Sequence, residues 1–205
     1  MTHLTLWDHA FALIVFIGYP LFSIFTISND IRDIRRRGEP ARVSSYLEVL
    51  LTWLFFAVCL IVLWAWLSRD WAALGFRLVD AKTLAISFAI ALAAILMFVL
   101  PLRGLARNPE RFEGLESQIG DFVEFMPRTR KEEAWFTGVA VNAGITEELI
   151  FRGYLIWYLS NFVHVYWAAV IAVFFFAFAH GYQGLKQIPG ILLVSTIAVA
   201  LFVYS

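Results

Sequence analysis

The chain has 205 residues, of which 61% are apolar or aromatic before its 12 glycines are counted, and only 16% are charged. A soluble domain carries roughly 45–50% and roughly 25% respectively, so lipid must be the solvent for much of this surface. Sixteen Lys and Arg balance sixteen Asp and Glu, which excludes a basic nucleic-acid binder, and the single cysteine, Cys59, excludes an intrachain disulfide scaffold.

A hydrocarbon core of about 30 Å needs about 20 helical residues. Apolar runs of that order occur over 7–27, 46–67, 83–102, 135–159, 162–185 and 188–204. The first has no Lys or Arg before it and no small-residue cleavage site, so it reads as a retained span. The expectation is an all-α polytopic membrane bundle of about six transmembrane helices, in an integral multi-pass protein with lipids as its surroundings. Basic residues set its orientation. Arg32, Arg35, Arg36, Arg37 and Arg42 fill the first loop; Arg103, Arg107, Arg111, Arg128, Arg130 and Lys131 the third; Lys186 lies in the fifth. The second loop holds only Arg69, Arg77 and Lys82. Loops one, three and five should face the cytoplasm, with the amino terminus outside.

In the third loop Phe112, Leu115, Ile119, Phe122, Val123 and Met126 recur at helical spacing between Glu113, Glu116, Asp121 and Glu124. A helix lying on the inner membrane surface and a loop packed on the bundle fit this pattern equally. The chain divides into 1–133, amino-terminal spans with this loop, and 134–205, which holds the chemistry.

That chemistry starts at Ala143-Gly144-Ile145-Thr146-Glu147-Glu148-Leu149-Ile150-Phe151-Arg152-Gly153. Each charge near a bilayer centre costs about 2.5–3.5 kcal/mol, so these groups must face a protein interior or a wet cavity. Glu148 and Arg152, four apart, share a helix face and can pair; Glu147 and Phe151 share the next face, about 100° round. Glu147 is thereby left free to act as a base, and Glu148–Arg152 alone would be a packing pair. On the fifth run Phe176 and His180 are also four apart. His164 lies about 24 Å from His180 along a helix, so His180 is the candidate. With the fifth helix finishing near Leu185, Glu147 reaches the depth of His180 only if the fourth membrane helix starts late, near Val141 or Asn142. The four groups Glu147, Glu148, Arg152 and His180 are expected on one polar cavity.

Glu147-Glu148-x-x-x-Arg152 followed by Phe176-x-x-x-His180 resembles the first two motifs of the CAAX-protease and bacteriocin-processing (CPBP, Abi-type) family of intramembrane proteases. Gly153-Tyr154-Leu155 and Leu74-Gly75-Phe76 add to the likeness. The resemblance implies peptide-bond hydrolysis in a membrane-associated peptide or protein substrate, in a bacterial cytoplasmic membrane. Glu147 would activate water, Glu148 and Arg152 would complete the first motif, His180 would serve from the second, and Phe176 would support it. Either no metal is used, or a divalent metal such as zinc is held by Glu147 and His180. The family carries a later His-x-x-x-Asn motif, and no His or Asn follows His180 here. The core at 134–205 therefore reads as truncated or incomplete, and little or no proteolysis is expected of this short form. A non-catalytic scaffold or self-immunity protein of the same fold is the alternative reading, and a proton- or ion-coupled carrier a more distant one.

Overall fold

A computed structural model describes residues 4–78, 80–103, 114 and 119–204, and among these the only regular structure is helical. The first helix, α1, runs from Leu6 to Arg37. Thr5 starts it: its backbone N–H and hydroxyl donate to Asp8 Oδ2 at 2.7 and 2.8 Å, satisfying groups that a helix start leaves orphaned. Gly38, at φ +67°, stops it and donates to the Ile34 carbonyl at 2.8 Å. Pro40 then opens α2, Glu39–Trp66. The 3₁₀ turn Trp71–Leu74 and Gly75, at φ +92°, lead to α3, Ala81–Arg103. The central helix, α4, spans 130–159: an α segment Arg130–Glu147, a π segment Glu148–Leu155, and a last turn Ile156–Leu159. The helices α5, Val165–Ala179, and α6, Ile188–Tyr204, complete the bundle.

The π segment of α4 forms the middle of the core. Ile150, Phe151, Tyr154, Leu155 and Ile156 are buried against Phe16 of α1, Trp53 and Trp64 of α2, Phe176 of α5 and Val199 of α6. Phe151 meets Phe16 and Phe176 edge-on, with ring centroids 5.3 and 5.1 Å apart. Lipid tails are as apolar as these side chains, so close packing and polar pairing must hold the helices together. Small residues allow that approach: a Cβ on Gly153 would lie 2.7 Å from the Leu74 carbonyl oxygen, so only glycine lets the turn before α3 rest on α4.

Each end of the bundle is tied by its own charges. At one end Arg69 donates to both carboxylate oxygens of Asp8, at 2.5 and 2.6 Å, with its guanidinium over the rings of Trp64 and Trp157. At the other end Arg42 pairs with the buried Glu132, and Arg35 reaches Asp121 and Glu124 at 2.6 and 3.0 Å. Loops one and three therefore share an end, and Phe122 against Tyr182 brings loop five to the same end. Loop two, loop four and the amino-terminal residues meet at the opposite end, where His9 bonds the Tyr158 hydroxyl at 2.7 Å and its ring lies 6.4 Å from that of Phe162.

The bundle is all-α, as expected, but its spans are unequal. Among the described residues, Leu6–Arg37, Glu39–Trp66 and Leu185–Tyr204 are long and apolar enough to cross a membrane. The fifth run does not continue to Leu185 as a helix. It ends at Ala179 because Gly181 and Gly184, the latter at φ +99°, turn the chain through two short 3₁₀ turns. In the third loop, Gly120–Phe125 is a short 3₁₀ turn packed on the bundle, while Phe112, Glu113, Leu115 and Glu116 of the proposed surface helix lie outside the described residues.

Candidate active site

A Thr-x-x-Glu capping box sets the start of α4. Thr129 Oγ1 accepts from the Glu132 N–H at 3.2 Å, and Glu132 Oε2 accepts from the Thr129 N–H at 2.9 Å. The helix then continues unbroken through Gly138 and Gly144 to Glu147. No late start is needed to match depths. Because α5 stops at Ala179, His180 is the residue that closes that helix, and it comes level with the middle of α4.

The two motifs meet through Glu147 and His180. Glu147 Oε1 lies 3.8 Å from His180 Nε2, and both side chains are about 15% exposed. The Phe176 carbonyl, which can only accept, takes a hydrogen bond from His180 Nδ1 at 2.8 Å. In the neutral ring this leaves Nε2 as an acceptor turned to Glu147. The Phe176 ring lies against the imidazole with centroids 4.3 Å apart. Phe176 thus fixes the tautomer with its backbone and the ring plane with its side chain.

Both groups line a cavity of about 340 Å³. Its walls are rich in aromatic rings, including Tyr19, Trp53, Phe125 and Phe136, and they also carry Asp30 and Glu48. Glu148 and Arg152 are not among its walls, so the four motif groups do not share one cavity. Neighbours on a helix point about 100° apart, and a cavity that takes Glu147 leaves Glu148 facing elsewhere. Glu148 is half exposed, and its Oε1 lies 3.5 Å from Nη1 of the buried Arg152. Arg152 stacks over Phe176 at 4.2 Å and reaches Ser195 Oγ at 3.5 Å, while its Nε has no partner among the described residues. The pair lies in the π segment, and the Arg152 guanidinium sits over the Phe176 ring as well as facing the Glu148 carboxylate.

Glu48 was legible as a candidate, being a carboxylate inside the second apolar run, but no motif drew attention to it. Tyr19 and Tyr182 gave no such signal, because only the tertiary contacts bring them to Glu147.

A catalytic zinc takes three protein ligands. Glu147 and His180 supply two, and among the described residues no group of three or more His, Cys, Asp or Glu could hold a metal. These residues do not fit a zinc centre. They fit a water shared between two acceptors: 3.8 Å is too long for a direct hydrogen bond, and one water can bond both groups.

No curated protein and no solved structure matches the chain. Residues 130–205 match the family model described as Type II CAAX prenyl endopeptidase Rce1-like. The matched segment is the one that carries Glu147, Glu148, Arg152, Phe176 and His180, and it is similar there to the CAAX-protease family that its two motifs resemble.

Proposed function

We propose that the chain is an intramembrane endopeptidase that hydrolyses a peptide bond with water activated by Glu147. The observation that carries the reading is the Glu147–His180 pair, 3.8 Å apart on the wall of one cavity. Water donates one hydrogen to Glu147 and the other to His180 Nε2, which holds the oxygen lone pairs toward the substrate. As the oxygen attacks the peptide carbonyl carbon, Glu147 takes its proton. The tetrahedral intermediate collapses with loss of the amine, whose nitrogen receives that proton from Glu147. A neutral His180 orients the water; it does not donate to the oxyanion, because its one N–H is committed to Phe176. Arg152 holds no position in the cavity and acts through Phe176, whose face it covers.

General-base assistance is worth about 10²–10⁴-fold, so Glu147→Gln should remove turnover while the fold is kept. The assay is cleavage of membrane-anchored peptides, prenylated CAAX tails among them, by the purified chain in lipid nanodiscs. Unchanged cleavage by Glu147→Gln would overturn the mechanism. The second reading, a non-catalytic scaffold or self-immunity protein, is favoured by α6, whose buried polar group is Ser195 in place of a histidine or asparagine. On that reading no peptide is cut by either form.

A further inference from the structure

The catalytic cavity has a neighbour. A second cavity of about 340 Å³ lies beside it, and the two share Ile27, Phe122, Tyr182 and Gln183 as walls. The rings of Phe122 and Tyr182, 6.0 Å apart, form the partition. Phe122 belongs to the segment 119–126, whose attachment is uneven. Its rear is held by backbone: the Glu124 carbonyl accepts from Arg42 Nε at 2.7 Å and the Phe125 carbonyl from the Tyr46 hydroxyl at 2.5 Å, both partly buried. Its front is tied from outside by the ion pair of Arg35 with Asp121, 2.6 Å long between side chains 49% and 70% exposed, while the Arg35 bond to Glu124 at 3.0 Å falls at the rear. Exposed ion pairs hold weakly and are screened by salt, whereas partly buried bonds to carbonyls are not. Gly120, at φ +56°, gives the front a bend that other residues rarely adopt.

We infer that 119–123 is a flap, hinged at Glu124–Phe125 and latched by Arg35, with Phe122 as the gate between the two cavities. Release of the Arg35 latch swings Phe122 away from Tyr182 and joins the cavities into one path along which an extended peptide reaches Glu147. What passes the gate rests on the function proposed above; the flap does not, and it is tested without proteolysis.

The probe is Ala143→Cys in a Cys59→Ala background. Ala143 lines the catalytic cavity one helical turn before Glu147. The full chain in nanodiscs is labelled with a bulky maleimide and the rate is followed. Arg35→Ala and Phe122→Ala should each speed labelling by about threefold to fivefold. Raising salt from about 0.05 M to about 1 M should speed the parent and not Arg35→Ala. Reversing the pair, Arg35→Glu with Asp121→Arg, should slow labelling relative to Arg35→Glu alone. Rates within about twofold of the parent for Arg35→Ala, or acceleration by Phe122→Ala alone, would overturn the latch. A Glu147→Gln result that contradicts the proteolytic reading leaves these rates untouched, so the two failures are distinguishable.

Discussion

Replacing Arg152 separates a group kept for function from a group kept for stability. Its side chain is 2% exposed, yet Glu148, with which it forms an ion pair, is half in solvent and 3.5 Å away. Its bond to Ser195, at 3.5 Å, is at the limit for a hydrogen bond, and its Nε has no partner among the described residues. An unsatisfied buried donor costs about 1–3 kcal/mol. The stacking on Phe176 returns about 0.5–2 kcal/mol. Met fills a similar volume with no donor to satisfy, so Arg152→Met should leave stability within about 2 kcal/mol of the parent, in either direction. Arg152→Ala empties the site between α4, α5 and α6 and should cost about 2–5 kcal/mol, as large-to-small changes in packed cores do. Stranding Glu148 adds little to that, because its carboxylate is half exposed rather than buried. Thermal unfolding in one detergent, read beside peptide cleavage, is the assay. Arg152→Met should unfold near the parent temperature with reduced cleavage, since Phe176 loses the cation that covers its ring. A fall in unfolding temperature as large as that of Arg152→Ala would refute the reasoning and make the guanidinium a structural element.

Asp8→Ala should cost about 3–5 kcal/mol by leaving Arg69 charged and buried, whereas Lys131→Ala, from the exposed pair with Glu39, should cost at most about 1 kcal/mol; paired unfolding curves check this. Burial pushes the Glu132 carboxyl up, but the Arg128 N–H and the Arg42 guanidinium outweigh it and hold the group below its ordinary value of 4.5. Its contribution to stability is then full above that value and is lost as pH falls below it, so acid unfolding curves should lose part of their pH dependence in Glu132→Gln. The charge asymmetry of the loops predicts that Arg36→Cys, in a Cys59→Ala background, is shielded from membrane-impermeant thiol reagents in intact cells. Labelling there would invert the orientation.

Composition and apolar run length settled the helical membrane class, because continuous apolar runs of about 20 residues suit spanning helices and not the short alternating strands of a barrel. Local spacing placed Glu148 near Arg152 and Phe176 against His180, since residues four apart share a helix face, although how closely Glu148 and Arg152 pair was left to their surroundings. Two further signals lie in the local sequence, the Thr129–Glu132 capping box and the carboxylate of Glu48 inside an apolar run. Other features were beyond any local rule. Helical periodicity assumes 3.6 residues per turn, so it does not foresee that α4 widens to a π-helix over Glu148–Leu155 as it packs against four other helices. Apolar content carried the fifth run to Leu185, but glycine turns end α5 at Ala179, and that shorter helix is what brings His180 level with Glu147. Two residues 33 positions apart acquire a 3.8 Å relationship only when α1, α2 and α4 close a cavity around them. Depth, tautomer and separation are properties of the packed bundle, because each depends on a neighbour that the local sequence does not contain.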